Sequence, residues 1–338
     1  MKQRELDLDF VKVIASIMVI ILHIGNVYMR SDYFGGSTVY HFCGMFYAVV
    51  CRTCVPLFVM ISGYLYFDSR SYVDYKSYYI NILKRIILPT IAISVFYSLV
   101  SAAREYCLKG IISWEKYGKD ILSGNAYSHL WYMYMICGLY LFAPVLRLFK
   151  SRIEKCGILL FGGVLCAFGV FLALAFDLPW PLLFLQYLGY FILGWGLKRA
   201  AISNSRIKIA SLIGSGWIML VAYIVSVIQE KYSFYPGFQI YMYLSPVTII
   251  ASVMLFWGLT GCNFTWGGIS QLARHNMGIY FIHQLYIDVL YHWILRENVV
   301  HLHPLYFVPI MAIIIYCLSF VTSVGIPNVL SKLWRKKI

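Results

Sequence analysis

The sequence predicts an all-α fold: a polytopic membrane bundle of about ten transmembrane helices with both termini cytoplasmic. Three observations lead there. The 338-residue chain is 61% hydrophobic and only 12% charged, whereas soluble domains are about 45–50% apolar and about 25% charged. Apolar runs near the length needed to cross a bilayer, about 20 residues, recur from end to end. The net charge of +14 is spread over the short segments between these runs. That pattern is a topology signal and not the footprint of a nucleic-acid binder.

The runs fall at 9–29, 42–67, 86–107, 129–149, 156–177, 181–198, 208–228, 241–261, 276–295 and 305–326. An even number puts both termini on one side. Segments on that side carry Lys2, Arg4, Arg70, Lys76, Lys84, Arg85, Lys150, Arg152, Lys155, Lys198, Arg199, Arg206, Lys208, Arg274, Lys332, Arg335, Lys336 and Lys337. The other side carries only Arg30, Arg104, Lys109, Lys116, Lys119, Lys231 and Arg296. An excess of Lys and Arg marks the cytoplasmic face. The first run is too long for a cleavable signal peptide and lacks a small-x-small site. No linker or soluble appendage interrupts the bundle, so 1–338 reads as one domain. No internal repeat supports an inverted-repeat transporter.

Nine cysteines lie mostly within apolar runs. Cys51 and Cys54 form a CxxC, but Pro56 follows and no second pair or His cluster completes a zinc site. They read as small core residues, and no metal is expected. His301 and His303, on an outer loop, read as a solvated pair.

In the first span, Lys12 and His23 stand in apolar sequence, where a charge at the helix centre costs about 2.5–3.5 kcal/mol. Eleven residues is close to three turns, so both project from one face, roughly 16 Å apart along the axis. They can grip two ends of one elongated ligand. Kept from water, His23 favours the neutral imidazole, which can accept a proton. The alternative is a histidine that only bonds a neighbouring helix. The second span holds Arg52, which must face a polar cavity or a partner, and Pro56, which frees a backbone carbonyl. Ser62, in the segment Ser62–Tyr64, offers a hydroxyl where helices approach closely; helix packing is the competing explanation. Lys76, Lys84 and Arg85 precede Pro89 at the head of the third span. They suit phosphate groups and equally suit anionic lipid heads. The fourth span opens with His129 and Trp131, either acceptor contacts or, for Trp131, an interfacial anchor. The ninth carries His283 and Asp288, ionisable groups in apolar sequence. A buried, hydrogen-bonded histidine is the simpler reading of His283 alone.

Together these segments resemble one family. Asp9, Lys12, Ala15 and His23 give D-x-x-K-x-x-A…H, similar to the first-helix signature of the acyltransferase-3 membrane family, in which an Arg precedes the His. The segments Pro56–Leu65, His129–Arg147, Tyr190–Leu197 and Gly278–His283 look like its further motifs, in order, so the resemblance covers nearly the whole chain. It implies a ten-helix bundle, acetyl-CoA from the cytoplasm as acyl donor and an acceptor on the far side. The short bacterial members that O-acetylate surface polysaccharides are the nearest type. The implied activity is an integral membrane O-acyltransferase of the bacterial inner membrane, with an envelope glycan or lipid-linked sugar as partner. A transporter or flippase for envelope polysaccharide or a small solute is the alternative.

The resemblance also implies roles. His23 takes the position of the essential histidine, as base for the acceptor hydroxyl or as a group handling the acyl donor. Lys12 takes the position of the arginine, keeping the charge but losing the planar fork. On their chemistry alone, apart from the resemblance, Arg52 or Ser62 would stabilise an oxyanion. Arg85 matches one of a basic pair, Ile82 occupies the partner position, and Lys84 substitutes; with Lys76 they would hold the donor's phosphates. His129, Trp131, Ser62 and His283 would contact the acceptor.

Overall fold

The computed structural model describes residues 6–30, 37–68, 74–149, 155–200, 204–232, 239–260, 267–291 and 302–335, without side chains at 155–156 and 326–335. His301 and the basic residues at 2, 4, 70, 150, 152, 296, 336 and 337 lie outside them. The described residues are mostly helical, with no strand among them. The chain divides into two compact units, residues 1–58 with 201–338, and residues 59–200.

Among the described residues, seven helices are long and apolar enough to cross a membrane: Leu6–Tyr28, Thr38–Asp68, Tyr75–Lys109, Gly157–Ala175, Trp180–Arg199, Ser205–Lys231 and Pro304–Gly325. Three expected spans are shorter helices: Trp131–Arg147 with 17 residues, Pro246–Leu259 with 14 and Asn276–Leu290 with 15. Fourteen residues reach roughly 21 Å, less than the roughly 30 Å hydrocarbon layer. Large apolar side chains such as Leu99, Phe171, Leu174, Trp217 and Ile313 stand exposed along the long helices, as lipid-facing residues must. The molecule is an all-α polytopic membrane bundle.

In the first unit, α1 (Leu6–Tyr28) starts with Asp7 and Asp9 at the positive end of its macrodipole. It packs closely on α2 (Thr38–Val50). A Cβ on Gly25 would stand 2.8 Å from the carbonyl oxygen of Gly44, and one on Gly44 2.6 Å from that of Gly25. Only glycine at both positions allows this approach. Beyond α2, Pro56 lacks the N–H that would reach the Arg52 carbonyl. The chain tightens there into a 3-10 turn over Cys51–Thr53, with the Cys54 amide donating to the Cys51 carbonyl. Both cysteines are buried. The helix then resumes as α3 (Cys54–Asp68).

The unit's second part comprises α10 (Ser205–Lys231), α11 (Pro246–Leu259), α12 (Gly268–Arg274), α13 (Asn276–Leu290) and α14 (Pro304–Arg335). Val13, Ile20 and Ile24 of α1 share one core with Ile279 and Ile287 of α13 and with Val308, Ala312 and Ile315 of α14. Met45 and Val49 of α2 share another with Met219, Ala222 and Ala251.

In the second unit, α3 meets α9 (Leu188–Arg199) backbone to backbone. A Cβ on Gly63 would fall 1.8 Å from the Phe191 carbonyl oxygen, and one on Gly194 would fall 1.9 Å from that of Met60. The segment Ser62–Tyr64 is thus a packing motif at Gly63. Gly63→Ala is expected to force the two helices apart and lower stability by about 2–3 kcal/mol, the usual scale for overpacking, seen as a lower thermal midpoint in detergent.

Asp74 caps α4 (Tyr75–Ile82), accepting from the amides of Lys76 and Ser77 at 3.0 Å each. The Ser77 hydroxyl first, and then these two amides, hold its carboxyl below the usual range. The cap is therefore intact at neutral pH and weakens as pH falls through that lowered value. A π-helical turn over Leu83–Ile87 joins α4 to α5 (Leu88–Lys109), with the Leu88 amide reaching back to the Leu83 carbonyl. Pro89 removes the donor that would have met the Arg85 carbonyl, and the ladder widens at that point. Between the spans expected at 86–107 and 129–149 lies a further helix, α6 (Trp114–Leu122). The rest of the unit is α7 (Trp131–Arg147), α8 (Lys155–Ala175) and a 3-10 stretch, Trp180–Tyr187, leading into α9.

Candidate active site

The first unit gathers three of the sequence-predicted residues. His23 lies five residues before the C-terminal end of α1, and its ring is half-buried. The ring of His283, on α13, stands 5.4 Å from it, centroid to centroid, at 48°. His283 is 1% exposed, and its Nδ1 lies 2.6 Å from the Tyr280 carbonyl oxygen. Arg52 is near enough for its charge to act on His23.

Arg52 is held by two tyrosines. Its guanidinium carbon sits 5.1 Å from the Tyr241 ring centroid and 4.9 Å from that of Tyr243, with the Tyr243 hydroxyl in hydrogen-bond reach. Such cation–π contacts strengthen away from water, to about 2 kcal/mol. A tight turn presents both rings: the Ser245 amide donates to the Met242 carbonyl at 3.0 Å, and the Ser245 hydroxyl caps α11 by accepting from the Thr248 amide. Pro246 then sits at the first helical position, where a missing N–H costs nothing. Arg52 and Tyr243 are both half-buried. The site therefore offers a cation with five N–H donors beside a partly open imidazole, with a second imidazole sealed behind. That set can take a proton from a hydroxyl and stabilise negative charge on an oxygen.

Lys12 has a different setting. Its Nζ pairs with Asp9 Oδ1 at 3.1 Å, and Asp9 Oδ2 accepts from the Ser270 hydroxyl at 2.9 Å. Ser16 donates to the Lys12 carbonyl at 3.0 Å and also bonds Asn276. Asp9 is 3% exposed and Lys12 21%, so the lysine neutralises a buried carboxylate where α1 meets α12 and α13. Removing one partner of a buried pair typically costs about 3–5 kcal/mol. Lys12→Met is expected near the lower end, about 3 kcal/mol, because Lys12 keeps some contact with solvent. Lys12→Arg is expected to retain stability, both read from thermal unfolding.

The remaining candidates belong to the second unit. Lys84 and Arg85 are exposed on the π turn, and Lys76 is exposed in the first turn of α4. His129 is 1% exposed, its ring edge-on to Tyr97 at 5.1 Å and 5.8 Å from Tyr127. This enclosure fits a packed core histidine. Trp131 is half-buried against Tyr187, 6.0 Å away. Ser62 is half-buried beside Gly63. Asp288 accepts from Gln284 on its own helix at 3.0 Å.

Sequence reasoning passed over Tyr241, Tyr243, Ser270 and Asn276. The Y-x-Y ahead of Ser245 and Pro246 is a visible pattern, but nothing in it points to an arginine almost two hundred residues earlier.

A family model described as an acyltransferase domain matches residues 5–325. The chain belongs to the acyltransferase-3 family. The match includes all ten candidate residues of both units. No curated protein and no solved structure matches the chain. Family membership and seven long apolar helices together make this acyltransferase-3 member a multi-pass membrane protein with acyltransfer as its general activity.

Proposed function

We propose that the protein is an O-acyltransferase of the bacterial inner membrane that moves acetyl from cytoplasmic acetyl-CoA to a hydroxyl of an envelope glycan or lipid-linked sugar. The observation that carries this reading is the half-buried His23 beside Arg52 within a chain of this family. In this scheme His23 takes the proton of the acceptor hydroxyl as the oxygen attacks the thioester carbonyl. Arg52 stabilises the oxyanion that forms. The C–S bond then breaks, and the thiolate regains a proton from His23. Lys12 acts at a distance, by fixing the start of α1 through Asp9.

Lys76, Lys84 and Arg85 are proposed to hold the phosphates of the donor, as exposed cations of the kind that suit phosphate oxygens. Trp131 and Ser62, both half-buried, are retained as acceptor contacts, whereas His129 and His283, each 1% exposed, are not. Ten spans with both termini cytoplasmic complete the proposal, on the distribution of basic residues. Purified protein in proteoliposomes, given acetyl-CoA and envelope glycan, should release free coenzyme A only when both are present. Movement of glycan without loss of thioester would point to a transporter instead.

A further inference from the structure

We propose that α6 and the turn before it form an interfacial anchor: the helix lies in the plane of the bilayer surface and buries one apolar edge among the lipid head groups and upper acyl chains. The inference rests on the membrane bundle and is independent of the acyl-transfer reading. On α6, Trp114, Gly118 and Leu122 fall four residues apart and so line one edge. A Cβ on Gly118 would meet nothing within 4 Å, so the edge is open along its length. Lys116 and Asp120 fall on the opposite side at helical spacing. Just ahead of the helix come Leu108 and Ile111. Leu108, Ile111, Trp114 and Leu122 each expose more than half of their surface. One contiguous apolar strip on a short polar-backed helix is the pattern of a helix that lies in the interface, and Trp is a side chain favoured at that depth.

Lipid is the occupant because the strip continues the lipid-facing surface of α5. Exposed apolar side chains run up that helix from Leu88 through Leu99 to Leu108. The rise between the first and the last is about 30 Å, the depth of the hydrocarbon layer. Leu108 therefore marks its boundary. Gly110 then turns the chain, with φ at +71° and its amide donating to the Tyr106 carbonyl at 2.8 Å. This turn starts α6 at the level of the head groups. The helix is fastened there on its other side. The Tyr117 hydroxyl donates to Glu105 Oε2 at 2.9 Å, and the Tyr134 hydroxyl, near the start of α7, lies 2.9 Å from the Ile121 carbonyl oxygen. Tyr117 is buried, so its side faces the bundle and the Trp114 edge faces away. Charge adds little to the hold. Arg104, Lys109, Lys116 and Lys119 are offset by Glu105, Glu115 and Asp120, and Lys109 and Lys119 pair with Glu105 and Glu115 at 3.3 and 2.6 Å. This is not the polybasic kind of segment that needs anionic lipid.

The test puts the photocrosslinker p-benzoylphenylalanine at one position at a time in the full chain: in place of Trp114, Gly118 or Leu122, in place of Lys116 or Lys119, and in place of Leu99 on α5 as the lipid-facing reference. All of these positions are exposed, so the probe displaces no core side chain, and thermal unfolding of each variant checks that. The proteins are irradiated in phosphatidylcholine vesicles with and without phosphatidylglycerol, and the intact chains are weighed. The added mass of a phospholipid is expected with the probe at Leu99, Trp114, Gly118 and Leu122, and no such adduct at Lys116 and Lys119. The yields should be the same in both vesicles. No lipid adduct from Trp114 and Leu122 beside a clear one from Leu99 would overturn the anchor. So would crosslinks from those two positions to a second copy of the chain in place of lipid. Equal lipid adducts at all the α6 positions would deny the helix its orientation, and adducts that require phosphatidylglycerol would overturn the apolar hold.

Discussion

Replacing His23 with alanine is expected to lower acyl transfer by about 10²–10⁴-fold, the contribution of a positioned general base. The protein should still reach the membrane and fold. His23 is half-buried, and the core beside it is made by Ile20, Ile24 and Tyr28, so loss of the ring removes chemistry more than packing. The measurement is coenzyme A release per folded enzyme, with thermal unfolding as the control. A fall in kcat with donor KM unchanged would locate the loss in the transition state.

The second large effect is expected at Arg52. Arg52→Leu should cost about 10²–10³-fold in kcat, the scale for loss of an oxyanion donor. Arg52→Lys separates charge from shape. Lysine keeps the positive charge but loses the planar fork that fits between Tyr241 and Tyr243. If charge alone stabilised the oxyanion, lysine would restore most activity. The clamped geometry predicts that it restores little. Tyr243→Phe should leave a smaller defect, because the ring face stays and only the hydroxyl goes.

The fold class was readable because membrane insertion imposes a local rule: a spanning segment must be apolar over its own length. Every expected span meets a helix. The misjudged ends have local physical causes. The third expected span begins at Tyr75 instead of residue 86, because the widened turn at Leu83–Ile87 carries helical structure through a polar stretch. The span expected at 241–261 is shortened because Ser245 and Pro246 set a capped start.

The site was only half legible. An ionisable residue in apolar sequence announces itself, and so His23, Arg52 and His283 could each be picked out. Their partners could not. Tyrosine is abundant in this chain, with 29 copies, so Tyr241 and Tyr243 carry no mark that separates them from interfacial tyrosines. Lys12 shows the converse. Its spacing from His23 suggests two ends of one ligand grip, yet Asp9, three residues before it, takes its Nζ. A competing carboxylate one turn away is visible in the sequence, and its nearness makes the ion pair the stronger draw.

The central claim is that acyl transfer to an envelope hydroxyl depends on the His23 centre. Mass spectrometry of envelope glycans tests it most directly, comparing cells lacking this protein with cells supplied with the wild type or with His23→Ala at equal membrane levels. A mass increase of one acetyl group per modified sugar with the wild type, absent in the other two, is the expected result. An identical acetylation pattern in cells carrying His23→Ala and cells carrying the wild type would contradict the account.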